Sequence, residues 1–98
     1  MIFRRRFSDV VKRQLDVFAV DESNGLLAEV HEMKGKYDRA EREGAEEAYG
    51  DYVDVVEAVK DALADMRDRF AATLNDATAE AYALAFENAA RKRWRWLG

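Results

Sequence analysis

The sequence contains no cysteine and no proline, and only 5 of its 98 residues are glycine. Without cysteine, a disulfide framework, a zinc ribbon and thiol catalysis are all excluded. The scarcity of proline and glycine favours long helices, because these two residues most often interrupt them. No apolar run approaches the ~18 residues of a membrane span, and three arginines stand where a signal peptide would have its apolar core. We therefore expect a soluble, cytoplasmic protein built of helices.

The composition supplies enough apolar surface for one folded domain. Hydrophobic residues make up 49% of the chain, aromatic residues 11% and charged residues 37%. This balance differs from that of disordered chains, which are poor in apolar and aromatic residues. The length predicts a single domain covering residues 1–98. Because a chain of this size buries only about 60–65% of its unfolded surface, association with a second chain would add useful burial.

Apolar residues recur at spacings of three and four along most of the chain, which is typical of amphipathic helices. Cap and turn residues separate these periodic segments. No glycine or proline lies between Asp51 and Leu97, so the last two helices could also form one continuous helix. With Asn75 as the cap of a separate last helix, the sequence predicts four helices, at about 8–20, 25–43, 51–74 and 76–96.

The second and third of these segments have apolar residues at heptad-like spacing. This pattern predicts an all-α fold, an antiparallel three- or four-helix bundle. We expect dimerisation through these two heptad-spaced apolar faces to complete the bundle. Tyrosine suits a subunit interface because it is both apolar and polar. The residues expected at the interface are Tyr37, Tyr52, Val56, Val59, Leu63, Met66 and Phe70.

Two acidic pairs stand on adjacent predicted helices. Leu26 is followed by Glu29-x-x-Glu32 on the second helix, and Asp51-x-x-Asp54 opens the third. Carboxylates three residues apart lie on one helix face, and carboxylate oxygens suit Mg²⁺. Together the two segments resemble the MazG-type all-α nucleotide pyrophosphohydrolases, which have an L-x-x-E-x-x-E-L segment and a later E-x-x-D segment.

The resemblance implies an enzyme in which a metal-bound water attacks a phosphorus atom and releases pyrophosphate. Asp51 stands where the family has Glu, and Asn88 with Arg91 or Lys92 would lie near the phosphates. The other interpretation is that these acids are ordinary solvent-exposed helix residues, which a chain with 20 acids contains often. The metal ligands implied by the resemblance are Glu29, Glu32, Asp51 and Asp54.

The net charge of −4 hides basic ends and an acidic middle. In an up-down-up-down bundle both chain ends lie at the same end, so the two basic clusters would converge and could bind phosphates of a nucleic acid or a membrane surface. Alternatively, the cations of the last turn favour the helix dipole and pair with acids. The clusters comprise Arg4, Arg5 and Arg6 at the N-terminus and Arg91, Lys92, Arg93, Trp94, Arg95 and Trp96 at the C-terminus.

The favoured interpretation is a small cytoplasmic interaction or structural protein that self-associates as a dimer or binds another protein, with no catalytic residues and no cofactor. The first alternative is the Mg²⁺-dependent pyrophosphohydrolase. The second alternative is a module that binds an anionic partner, either nucleic acid or a membrane surface, through the basic and aromatic chain ends.

Overall fold

The computed structural model describes residues 2–21 and 25–98, and the side chains of residues 7–21 and 25–98. The prediction of an all-α fold is confirmed, since the described chain is helical and contains no strand. No helix in these ranges is long and apolar enough to cross a membrane. The helices are α1 (Ile2–Val20), α2 (Leu26–Arg39), α3 (Ala45–Ala71) and α4 (Asp76–Arg93), followed by a 3₁₀ helix (Arg95–Leu97).

The break between α2 and α3 covers residues 40–44, so it falls earlier than the sequence predicts. α3 begins directly after Gly44, whose carbonyl accepts the first backbone hydrogen bond of the helix. Its first turn carries Glu46 and Glu47, and carboxylates are favourable at the positive end of a helix. Gly50, which directly precedes the predicted start of this helix at about 51, therefore lies inside α3.

The break between α3 and α4 is where the sequence places it. The Asn75 side chain caps α4 by accepting a hydrogen bond from the Thr78 backbone N–H at 3.0 Å. The Thr73 hydroxyl donates to the Phe70 carbonyl at 2.7 Å in the last turn of α3. The two helices are therefore separate, and the alternative of one continuous helix is excluded.

The contacts divide the chain into two units, of which the first contains residues 1–20 and 63–98. In this unit the end of α3 and α4 are antiparallel, because Arg67 meets Glu87 while Phe70, later in α3, meets the earlier Tyr82. The opposite ordering holds for α1, which runs parallel to α4. Early residues pair in Phe7–Tyr82 and late residues pair in Phe18–Trp94.

The parallel pair corrects the expectation of an up-down-up-down order for the first and last helices. A bundle of that kind needs helices of similar length joined by short loops. α3 has 27 residues whereas α2 has 14. The lengths of the two middle helices therefore differ from that pattern.

Tyr82 lies at the centre of the first unit and is fully buried. Its ring contacts Phe7 edge-on at 5.5 Å between centroids, Phe70 at 4.7 Å and Phe86 at 6.0 Å. Its hydroxyl donates to Oε1 of Gln14 at 2.7 Å. Burial raises the pKa of the Tyr82 phenol. One side chain thus joins α1, α3 and α4 around a satisfied polar group.

The second unit contains residues 21–62, that is α2 and the first part of α3. Tyr37 on α2 packs against Tyr49 at 5.3 Å and stacks on Tyr52 at 6.4 Å between ring centroids. On the same helix, Lys34 donates to Asp38 at 2.6 Å, and this hydrogen bond raises the pKa of Lys34. Aromatic contacts therefore hold α2 against the first turns of α3, beside the turn that joins the two helices.

Candidate functional site

The four carboxylates expected to hold Mg²⁺ lie on solvent-exposed helix surface. Glu29 and Glu32 are exposed on α2, and Asp51 and Asp54 are exposed on α3. Glu32 forms an i,i+4 ion pair with Lys36 at 3.5 Å. Among the described residues, no group of three or more acidic or histidine side chains is placed to hold a metal ion. The structure therefore does not bring these four carboxylates together.

Several residues expected at a dimer interface are used inside the chain. Val56, Val59 and Leu63 are buried, and Tyr52 stacks on Tyr37. Met66 and Phe70 are half-buried, and Phe70 contacts Tyr82. Such side chains contribute to the protein's own packing and offer little surface to a partner. The large apolar side chains that are more than half exposed are Val17, Val20, Tyr49 and Leu84.

The basic cluster at the C-terminus lies beside the last turns of α1. Nη1 of Arg93 donates to Oδ1 of Asp16 at 2.6 Å. The ring of Trp94 packs edge-on against that of Phe18, with 5.8 Å between the ring centroids. Arg4–Arg6 belong to the first turns of the same helix, with side chains outside the described ones. Because α1 and α4 are parallel, the backbone places the two basic clusters at opposite ends of α1 and they do not converge.

A groove of about 690 Å³ runs between α1 and α4 in the first unit. Each helix contributes residues at positions i, i+3, i+4 and i+7, which is the face that one helix presents to a neighbour. From α1 these are Ser8, Val11, Lys12 and Leu15, and from α4 they are Ala85, Asn88, Ala89 and Lys92, with Arg91 and Arg93 beside them.

The groove has an apolar floor made largely of small side chains. Val11 and Leu15 are buried at its base. Ala85 and Ala89 of α4 are half-buried and fill little of the space above them. A small side chain at both positions leaves room that a longer one would occupy. The groove therefore exists because α4 carries alanine on the side that faces α1.

The rims of the groove carry cations from both helices. Lys12 stands on the α1 side, and Arg91, Lys92 and Arg93 stand on the α4 side. All four residues are exposed to solvent. The amide of Asn88 adds a neutral hydrogen-bonding group between the rims. The arrangement suits a ligand that presents anionic groups around a slender apolar body.

One carboxylate next to the groove compensates part of this charge. Asp16 accepts from Nη1 of Arg93 at 2.6 Å and from Nζ of Lys12 at 3.0 Å, and these hydrogen bonds hold its pKa below the usual value for aspartate. Arg91 and Lys92 form no ion pair within the described part of the chain. The groove consequently keeps a net positive charge at neutral pH.

The sequence interpretation found one side of this groove and missed the other. Arg91, Lys92 and Arg93 were expected in an anion-binding cluster, and Asn88 was considered only through the family resemblance. Lys12 was missed, because its place in the same groove as the cations of α4 depends on the parallel pairing of the first and last helices. The spacing of the alanines in α4 was the sequence pattern that could have predicted a helix face of small side chains.

The comparisons with known proteins add no assignment. Neither protein-family models, nor curated proteins, nor solved structures yield a match to this chain. The resemblance to MazG-type enzymes is therefore carried only by the two short acidic segments, and the geometry of the groove carries the functional argument.

Proposed function

We propose that this chain is a small cytoplasmic interaction protein without catalytic activity, and that it binds an acidic helical segment of a partner in the groove between α1 and α4. The observation that carries this proposal is that cations from two different helices flank one floor of small apolar side chains. Amphipathic helices bind proteins by laying a narrow apolar face into such a groove.

The charges favour a partner with carboxylates on both sides of its contact face. Lys12 on one rim and Lys92 on the other could each meet a carboxylate of a helix that lies along the floor. Each exposed ion pair contributes only about 0–1 kcal/mol. Affinity thus depends on several such pairs acting together with burial of the partner's apolar face on Ala85 and Ala89.

The side chains of the groove also favour binding over catalysis. Its lining contains cations, alanines, asparagine and Ser8, and no histidine or carboxylate. Lysine and arginine stay protonated at neutral pH. The lining therefore supplies electrostatic attraction, but it supplies no side chain that can both donate and accept a proton near neutral pH.

The test is a fluorescence titration, since the two tryptophans follow directly after Arg93. The probe is an Ala- and Glu-rich helical peptide, and a Lys-containing peptide of the same length is the matched control. We expect a saturable change with the acidic peptide alone. Arg91→Gln/Lys92→Gln removes two exposed cations and should weaken binding severalfold, up to about tenfold, whereas Arg13→Gln/Arg42→Gln, which lie outside the groove, should not.

Two results would overturn the proposal. One is no saturable response to the acidic peptide by a protein whose circular dichroism shows it to be folded. The other is tighter binding of a single-stranded oligonucleotide or of anionic vesicles, lost in the same Arg91→Gln/Lys92→Gln variant, which would assign the groove to phosphate groups instead.

A further inference from the structure

An acidic stripe lies on the exposed surface of α3. Its four carboxylates follow one another at spacings of four, three and seven residues, which places them on one side of the helix. At 1.5 Å per residue the stripe is about 21 Å long. Half-buried Ala58 interrupts it with a small apolar side chain. The residues of the acidic stripe are Glu47, Asp51, Asp54 and Asp61.

No carboxylate of the acidic stripe forms an ion pair within the described chain. Other exposed acids do so, since Glu57 pairs with Lys60 and Asp65 pairs with Arg69. Like charges three and four residues apart on a helix repel one another. The acidic stripe is therefore a surface whose charge a cationic partner would compensate.

The same chain thus contains both the cationic groove and a helical surface of opposite charge. We propose that the occupant of the groove is the acidic stripe of a second copy of this chain. This inference rests on the proposed function and names the partner. The acidic stripe supplies the carboxylates that the rims attract, and Ala58 gives it a small apolar side chain that the floor can accept.

The contact joins the groove of one copy to the acidic stripe of another, so the two surfaces that meet are different parts of the chain. Because the attraction is between exposed charges, it weakens as salt shortens the screening length. Asp51 and Asp54, which the sequence associates with Mg²⁺, would then bind cations of a protein and not a metal ion.

The experiment is sedimentation equilibrium over a range of protein concentrations, at about 0.05 M and about 0.5 M NaCl. Wild type should dimerise, and its Kd should rise severalfold in the higher salt. Arg91→Glu/Lys92→Glu in the groove and Asp51→Lys/Asp54→Lys in the acidic stripe should each raise the dimer Kd at least about tenfold.

An equimolar mixture of the two charge-reversed variants provides the sharpest readout. Each interface in the mixed dimer again joins opposite charges, so the mixture should form heterodimers more tightly than either variant forms homodimers. Arg13→Glu/Arg42→Glu gives the same change in net charge outside the groove and should dimerise like wild type. If a charge-reversed variant is unfolded by circular dichroism, the neutral variant of the same surface, Arg91→Gln/Lys92→Gln or Asp51→Asn/Asp54→Asn, replaces it in the measurement of the dimer Kd.

The outcomes separate this inference from the proposed function. A monomeric wild type that still binds the acidic peptide overturns the second-copy inference alone. A monomeric wild type that binds no peptide overturns both. A dimer that tolerates both charge reversals, or a mixture that does not recover the dimer, shows that the chains associate elsewhere and also overturns the inference.

Discussion

Replacing Tyr82 with phenylalanine tests whether the centre of the first unit is held as the structure shows. The substitution keeps the ring against Phe7, Phe70 and Phe86 and removes only the hydrogen bond to Gln14 at 2.7 Å. Gln14 is half-exposed, so its amide oxygen can bind water instead. The expected loss is therefore the net value of one hydrogen bond, about 0.5–1.5 kcal/mol, and not the larger penalty of a buried unpaired acceptor.

The assay is thermal and urea denaturation followed by circular dichroism. For a domain of this size, 1 kcal/mol lowers Tm by about 4–8 °C, so Tyr82→Phe should melt several degrees below wild type. The urea m-value should stay unchanged, because the surface exposed on unfolding is nearly the same. In a double-mutant cycle, Gln14→Ala should cost less when Tyr82 is already phenylalanine, because the shared bond is then absent.

The matched control is Tyr82→Ala, which removes the ring as well. Deleting a buried aromatic ring costs about 3–5 kcal/mol, a large part of the stability of a small domain. If Tyr82→Phe melts like wild type and Gln14→Ala costs the same in both backgrounds, the hydrogen bond contributes nothing. If Tyr82→Ala costs less than about 1 kcal/mol, the ring is not in the core.

Substitutions at three further positions test a helix end and two ion pairs by the same melts. Asn75→Ala should cost about 1 kcal/mol, because the N–H of Thr78 loses its acceptor, whereas Asn75→Asp should retain wild-type stability; equal losses would contradict the cap. Glu87→Gln should cost about 0.5–1 kcal/mol by removing one of the two carboxylates that pair with Arg67, and the cost should shrink in about 1 M salt; a salt-independent cost would exclude an ionic origin. Asp16 has a lowered pKa in the folded state, so its contribution is present above the pKa of the unfolded chain and is lost as pH falls through the folded pKa. Asp16→Asn should therefore flatten the acid side of the stability profile, and an unchanged acid side would refute this.

The sequence alone predicts the four helices, the end of α1 at about 20 and the start of α4 at about 76. The predicted start of the first helix at about 8 is wrong, because α1 begins at Ile2. The prediction of Asn75 as a cap is confirmed, because a short side-chain acceptor before a helix acts locally. The start of α3 was missed, because the helix was predicted to begin at about 51, directly after Gly50, and it begins at Ala45. Glycine inside a helix costs only about 1 kcal/mol, and a helix of 27 residues with acids in its first turn tolerates that cost.

The direction of packing between helices is the part that the sequence does not encode locally. A spacing of i, i+3, i+4 and i+7 identifies the face that a helix buries, but the same spacing fits a parallel and an antiparallel neighbour. The recurrence of apolar residues at spacings of three and four therefore predicts a buried face of α1, but it does not predict which end of α4 that face meets. The groove depends on that choice, which is why its α1 rim was missed while its α4 rim was named.

The groove combines cations of two kinds, and they contribute differently to binding. Lys12 and Arg93 share the carboxylate of Asp16, so part of their charge is compensated before a partner arrives. Arg91 and Lys92 are exposed and have no such acceptor among the described residues. Exposed charges at the rim of an interface act mainly on the rate of approach of an oppositely charged partner. Changing Arg91 and Lys92 should therefore act mostly on the association rate and its salt dependence, and changing Lys12, whose charge Asp16 partly compensates, should have the smaller effect.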